Sequence, residues 1–374
     1  MLGTLFLIVI SLYCSLILFF IIGLYKKSAP LSDQKPFVSI IIPAKNEEHN
    51  ISNILHDLSR QTYPLSSYEV IIVDDESSDN TSNVIKDFLK KLPNLQLLST
   101  AEWESSLRYK KRPLYQGIRH SKGEILLLTD ADCRVAPQWV STMVSSFTDN
   151  VGMVIGYSGT APAINITQKL EALDFLMLMS AARGSASLGI PYACTGQNLA
   201  YRRRVFDEVG GFSTFASQVG GDDTLLLQQI KLKTKWKIAF ASHPDSFITS
   251  RPQETLLGFF SQRIRWAADA LPVWKTDPLF FSIIVLTFCA NFLALVLPWA
   301  AVSNSVVLPP VIIGLSAKMM LEGVLMLKGT ELFNRYELRL VFLPWFFLQI
   351  PYIAAMGILS FLGNRLPWGR RQSR

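Results

Sequence analysis

The stretch that decides the fold runs from Lys122 to Cys133, KGEILLLTDADC. Its centre, Glu124–Thr129, is a short continuous apolar run of the kind that forms a strand buried on both faces of a parallel sheet. It ends on Asp130-Ala131-Asp132. Two similar runs lie upstream: Phe37–Ile42 (FVSIII), closed by Pro43, and Tyr68–Val73 (YEVIIV), closed by Asp74-Asp75. Leu95–Ser99 adds a less apolar one. Helical spacing fills the gaps over Asn50–Leu58, over Ser77–Leu89 with Ser78 or Asp79 as cap, and over Lys111–Ser121. Strand–helix alternation with buried strands predicts a doubly wound α/β domain. Ligands of such sheets bind beyond the carboxyl ends of the strands. The polar groups that follow three of the strands, Lys45-Asn46-Glu47, Asp74-Asp75 and Asp130-Ala131-Asp132, are therefore predicted to gather at one sheet edge.

That edge is acidic. It lacks a GxGxxG after the first strand, and no GxxxxGK[ST] occurs in the chain, so the glycine cradles of dinucleotide and P-loop sites are missing. Carboxylates hold phosphate only through a cation. Asp130 and Asp132 are expected on one face of an extended segment, since strand side chains alternate with period two. Such a pair suits Mg²⁺ or Mn²⁺ bridging a diphosphate. Downstream, Thr195-Gly196-Gln197-Asn198 precedes an apolar triplet, and Gly220-Gly221-Asp222-Asp223 opens a helix expected over Thr224–Ile230. An acid at that place serves equally well as a helix cap. The alternating Lys231, Lys233, Lys235 and Lys237 read as a solvated strand face. Gln262-Arg263-Ile264-Arg265-Trp266 lies near Phe259, Phe260 and Trp274 and reads as an amphipathic helix at a membrane surface.

Composition points to the same membrane. Of 374 residues, 49% are hydrophobic and 17% charged, against about a quarter charged in soluble domains. The apolar excess is concentrated in three charge-free runs, Leu2–Tyr25, Leu279–Ala317 and Leu340–Asn364, and a span needs about 20 apolar residues. The first run reads as an uncleaved anchor followed by Lys26-Lys27, which predicts a cytoplasmic middle domain. The expected division is an anchor over 1–25, a catalytic domain over 26–250, an interfacial segment over 251–277, spanning or re-entrant helices over 278–364 and a basic tail over 365–374. Pro344 and Pro351 interrupt the last apolar run. Lys318 and Glu322 fall inside a span, four apart, either as a functional charged site or as a self-paired couple. The net charge of +7 fits an anionic leaflet, and the spans argue against a nucleic-acid partner. Four cysteines without a CxxC imply neither a disulfide framework nor zinc.

Taken together, VSIIIPAKNEE, VIIVDDESSDNT, KGEILLLTDADC, TGQNLAYRRRVF, GGDDTLLLQ and QRIRW resemble the membrane-integrated branch of family 2 glycosyltransferases. That branch includes cellulose, hyaluronan and poly-N-acetylglucosamine synthases and ceramide glucosyltransferases. The resemblance covers Phe37 to Trp266 and implies a GT-A fold with a nucleotide-sugar donor, expected to be a UDP-sugar. Carried over residue by residue, it implies that Pro43, Lys45 and Glu47 line the nucleotide, and that Asp75, or Asp74, reads the base. Lys111, or Lys110 beside it, would lie near the donor. Asp130 would face the ribose or metal, and Asp132 would bind Mg²⁺ or Mn²⁺. Asp223 matches the general base, with Asp222 where the family often has Glu. Gln262, Arg265 and Trp266 match the QxxRW signature beside acceptor and diphosphate. The implied reaction is inverting hexosyl transfer to a lipid or glycan acceptor at the membrane. The alternatives are a processive polysaccharide synthase, which the single span before the domain argues against, and a catalytically silent assembly subunit.

Overall fold

The computed structural model describes residues 2–360 except 28–30, 102, 104, 217–220 and 254. The expected basic tail and Gly220 of the Gly-Gly-Asp-Asp motif lie outside the described residues. The chain runs through α1 (Leu2–Tyr25), β1 (Val38–Ala44), α2 (Ile51–Leu58), β2 (Tyr68–Asp74), α3 (Thr81–Leu89), β3 (Leu95–Ser99), α4 (Lys111–His120), β4 (Ile125–Leu128) and β5 (Arg134–Val135). It continues through α5 (Trp139–Val144), β6 (Val151–Gly156), β7 (Ser158–Thr160), α6 (Ile166–Ser187), β8 (Leu199–Arg202), α7 (Arg203–Glu208), α8 (Asp222–Lys233), β9 (Lys237–Ala241) and β10 (Ile248–Ser250). Four longer helices close it: α9 (Leu256–Ala270), α10 (Pro278–Ser303), α11 (Leu308–Leu332) and α12 (Phe342–Ser360).

These elements form two compact units. A sheet unit holds Lys27–Ala161 and Ala186–Arg251, and a helical unit holds α1, Pro162–Ser185 and the chain from Pro252 onward. The linear division placed residues 162–185 with the catalytic domain, whereas α6 packs with the apolar helices.

The sheet unit is built on a seven-stranded sheet in the order β3-β2-β1-β4-β8-β6-β9. β1, β2, β3 and β4 are parallel, as the alternation predicts, and Ile40, Ile41 and Ile42 are completely buried. Ala44 pairs with Asp74, and Asp74 with Ser99, so these strands end level with one another. β8 then inserts antiparallel between β4 and β6, with Leu199 opposite Leu128. That reversal brings the start of β8, preceded by Thr195–Asn198, to the edge where β4 ends. α4 lies close on the sheet at Gly117, where a Cβ would sit 2.7 Å from Ile41 Cγ2. A small sheet β5-β10-β7 completes the unit. Two local expectations differ. α3 starts at Thr81 because residues 74–80 form a turn held by Asp74 and Asp79. The lysine run is split between the end of α8 and the start of β9 and is not one strand face.

Among the described residues of the helical unit, four helices are long and apolar enough to cross a membrane: Leu2–Tyr25, Pro278–Ser303, Ser305–Leu332 and Tyr336–Ser360. α12 runs unbroken through Pro351. α1 and α6 cross at a pair of glycines: a Cβ on Gly184 would lie 2.4 Å from the Phe20 carbonyl oxygen, and one on Gly23 would lie 1.9 Å from that of Gly184. Small residues permit such backbone approach. Lys318 and Glu322 are buried and paired at 2.8 Å, the second of the two expected arrangements. Tyr13 Oη donates to Glu322 Oε1 at 2.6 Å and Gln349 Nε2 donates to Oε2 at 2.5 Å, so α1, α11 and α12 meet on one carboxylate. The Gly184→Ala variant should unfold at lower temperature in detergent, with a loss of about 1–3 kcal/mol from overpacking, because the atom it meets is backbone and cannot yield. An unchanged melting temperature would refute the tight crossing.

Candidate active site

The edge of the sheet is assembled by interlocking the loops after β1 and β2. Asn46, at φ 56°, accepts from the Ser78 N–H at 2.8 Å and donates its own N–H to Ser77 Oγ at 2.9 Å. The Glu47 N–H donates to Thr81 Oγ1 at 2.7 Å, and Asn50 Nδ2 donates to Glu47 Oε2 at 2.8 Å. Pro43 is half-buried in the penultimate position of β1, and Lys45, just past the strand, is exposed. The two aspartates after β2 part company. Asp74 is buried, accepting from the Ser77 N–H at 3.0 Å and from Ser82 Oγ, so both its oxygens are committed to the turn. Asp75 remains half-buried, accepting from Thr100 Oγ1 at 2.9 Å, with Arg112 Nη1 at 3.9 Å. Arg112 was not singled out in the sequence. It also donates to Glu76 at 2.9 Å and to the Thr100 carbonyl.

Beyond β4 the chain turns, with the Cys133 N–H donating to the Asp130 carbonyl at 3.2 Å. Asp130 and Asp132 therefore lie on a turn and not on an extended segment, which corrects the period-two argument. They remain neighbours: burial raises the pKa of Asp132, and the Asp130 charge raises it further. Burial likewise raises that of Glu47, with Asp132 and Asp130 adding to it. The lysine among these acids is Lys110, whose Nζ lies 2.5 Å from Asp130 Oδ1. Lys111, the lysine preferred from the motif, is buried in the first turn of α4.

α8 begins two residues earlier than expected, after Gly221 at φ 70°, so Asp222 and Asp223 both sit in its first turn. Asp223 Oδ2 accepts the Gly196 N–H at 2.6 Å and Oδ1 accepts the Thr224 N–H at 2.6 Å. Burial, then the neighbouring Asp222 charge, lifts its pKa to about 6, opposed by Thr224, Lys110 and Gly196. Gly196 marks the meeting point: a Cβ there would lie 3.5 Å from both Asp223 Oδ2 and Lys110 Nζ. The loop is pinned by Asn198, whose Nδ2 donates to the carbonyls of Tyr157 (2.9 Å) and Ser246 (2.8 Å) and whose Oδ1 accepts from Trp139 Nε1 (3.1 Å).

Among the described residues no group of three or more His, Cys, Asp or Glu converges on one ion position. Two carboxylates suffice for a hard divalent cation that keeps its other positions for water and phosphate oxygens. Asp130 and Asp132 fit a cation shared with a diphosphate. They do not fit one caged by the protein alone.

Gln262, Arg265 and Trp266 lie in the helical unit on α9, with Trp266 exposed. Arg263 and Ile264, between them, are the buried ones. Arg263 Nη2 pairs with Asp174 Oδ2 at 2.8 Å, and its guanidinium stacks 4.2 Å from the Trp266 ring and 4.9 Å from Phe259. Burial raises the Asp174 pKa and Arg263 opposes it.

An α/β sheet with acids at the strand ends and an acid on a following helix is the arrangement of nucleotide-sugar transferases. Along nearly its whole length the chain shares the fold of the mannosyltransferase PcManGT from Pyrobaculum calidifontis, solved in complex with GDP-Man and Mn²⁺. The TM-score is 0.61 at 22% identity, covering 98% of this chain and 99% of that one. The family described as glycosyl transferase family 21 matches residues 3–372, and the chain belongs to it. Glycosyltransferase AglE of Haloferax volcanii is 32% identical over 244 residues, 65% of this chain and 75% of that one. The beta-monoglucosyldiacylglycerol synthase of Trichormus variabilis is 30% identical over 234 residues, 62% of this chain but 48% of the relative, about half its length.

Asn198→Ala strips three hydrogen bonds from a fully buried hub. Each buried group left unsatisfied costs about 1–3 kcal/mol, so the variant should melt well below the parent chain. Equal melting curves would show that the TGQN loop is anchored elsewhere.

Proposed function

We propose that the chain is an inverting membrane glycosyltransferase that moves a hexose from a nucleoside-diphospho-sugar to a lipid or glycan hydroxyl, with Asp223 as general base. One observation carries this: a carboxylate with a pKa of about 6 is held by two backbone N–H groups and lies near Lys110, whose ammonium contacts Asp130. Its basicity is matched to neutral pH, where general-base assistance is typically worth about 10²–10⁴-fold. The Gly196 N–H fixes the orientation of Asp223. On this reading Asp223 takes the proton from the acceptor hydroxyl as that oxygen attacks the anomeric carbon from the face opposite the diphosphate. Asp130 and Asp132 would hold Mg²⁺ or Mn²⁺, which when bound supplies Lewis-acid neutralisation of the leaving diphosphate. Lys110 adds a point charge to the same side.

Asp75, and not the committed Asp74, is the carboxylate we assign to the base. A carboxylate accepts from the N3–H of uracil and equally from the N1–H and N2–H₂ of guanine. The expected UDP-sugar is therefore tested against the GDP-sugar that the Pyrobaculum calidifontis neighbour's complex raises. A lipid acceptor is supported by the relative named for a glucosylated diacylglycerol and by the four apolar helices. Lys26 and Lys27 after α1 support a cytoplasmic sheet unit. Gln262, Arg265 and Trp266 are proposed to serve acceptor and diphosphate. Arg265 is suited to bidentate phosphate contact, and Arg263 holds the Trp266 ring through its guanidinium face.

Donor and acceptor screens on the purified full chain, read by mass spectrometry of membrane lipids, test the reading. Asp223→Asn should lose about 10²–10⁴-fold in transfer while still binding donor; equal turnover in parent and variant would end the general-base assignment. Because the base works only when ionised, kcat/KM should fall as pH drops through about 6 and be flat above it. A profile without that acid limb, or one retained in Asp223→Asn, would contradict the role.

A further inference from the structure

We propose that Lys110 is a placeholder cation: before donor arrives its ammonium occupies Asp130, and it moves to the incoming diphosphate, so that metal and donor bind as a pair and each only weakly alone. This rests on the reading of Asp130 and Asp132 as the metal pair.

Lys110 and Asp130 are in direct contact at 2.5 Å, with about a quarter of each side chain exposed. A cation that needs both carboxylates must displace this lysine, and Asp132 on its own offers one arm. The position of Lys110 is otherwise unfavourable. It is the N-cap of α4, and the helix opens Lys110-Lys111-Arg112, whereas the dipole favours acids there and disfavours cations. Tyr109, just before it, adopts φ 57°, a left-handed conformation that a bulky residue rarely takes. Lys110 itself has ordinary helical backbone, so what holds its ammonium against the dipole is its partners, and the partners at hand are acids: Asp130 in contact, and Asp222 and Asp223 near enough to be felt. Gly196 lies between Lys110 and Asp223 without a side chain to wall them off. The flexible four-carbon stem of lysine lets the ammonium move within such a pocket.

The charges balance in both states. Without donor, Lys110 covers Asp130, so an arriving cation meets Asp132 without the free second carboxylate of the pair. With donor, the diphosphate would offer Lys110 a more highly charged partner, and Asp130 would be free to join Asp132 in holding the cation. No ion pair is lost in the exchange, so it requires no uncompensated charge. The consequence is positive coupling between metal and nucleotide, with Lys110 as the coupling element.

The test is Mn²⁺ binding to the full chain in detergent, followed by electron paramagnetic resonance of free Mn²⁺, with and without UDP or GDP. In the parent chain the nucleotide should tighten Mn²⁺ by about 10-fold or more, an ordinary coupling. Lys110→Met should bind Mn²⁺ about 10-fold tighter than the parent without nucleotide, and its coupling should shrink. Lys110→Gln, which keeps a hydrogen bond to Asp130 without charge, should follow it, and Lys110→Arg should retain the coupling. If neither neutral variant binds Mn²⁺ alone more tightly than the parent, the placeholder role is overturned. Asp132→Ala separates the two failures. If the parent binds Mn²⁺ with nucleotide and Asp132→Ala does not, the metal pair stands whatever Lys110 does; if no form binds Mn²⁺, both readings fall.

Discussion

The structure depends on a concentration of negative charge at one sheet edge, held together by backbone N–H groups and one ammonium. Glu47, Asp130, Asp132, Asp222 and Asp223 come from three separate segments of chain. Left alone they would repel each other. Asp223 is stabilised by the N–H groups of Gly196 and Thr224, Glu47 by Asn50, and Asp130 by Lys110. What remains uncompensated appears as raised pKa values at Asp132, Glu47 and Asp223, with burial the largest cause at each. A site of this kind stores affinity for cations and for the anions that cations carry, which is what nucleoside-diphosphate chemistry requires.

The helical unit handles charge differently. No water in a hydrocarbon core can satisfy a polar group, so Glu322 is fully partnered by Tyr13, Lys318 and Gln349 on three helices. A one-turn slip of α1 or α12 along α11 would strip a partner from that carboxylate, so the cluster fixes their register. Arg263 and Asp174 do the same between α9 and α6, with Trp266 and Phe259 against the guanidinium. The glycine crossing of Gly23 and Gly184 sets how near α1 and α6 approach.

Much of the fold was legible where pattern and position coincide. The apolar runs at residues 37–42, 68–73 and 124–129 became parallel strands because strands buried on both faces leave continuous apolar stretches, and the less apolar 95–99 became the part-exposed parallel strand at the sheet edge. The apolar helices were legible for the same reason, being uniform over a span's length. β6, β7 and β10 were not read, although Val151–Gly156 is itself a short apolar run; its partner strands lie far along the chain, and the alternation rule gave it no place. The grouping of α6 with the apolar helices was also hidden, because its contacts are made by scattered residues of unlike type, Gly184 against α1 and Asp174 against Arg263 of α9, whose partners lie far along the chain.

At the site, the amino-acid sequence alone names the available chemistry: acids after strands, an acid pair opening a helix, and a lysine pair upstream. It could do so because these groups follow strand ends, and parallel strands end together. Only the tertiary structure decided which member of each pair faces the edge. Asp74 is consumed by its turn while Asp75 is not; Lys110 meets Asp130 while Lys111 is buried; Asp223 meets the Gly196 N–H because β8 inserts antiparallel beside β4. Adjacent residues point in different directions, and the direction is set by turns and by strand order, which involve partners tens of residues away. Local pattern names the residue types, and long-range pairing chooses among neighbours.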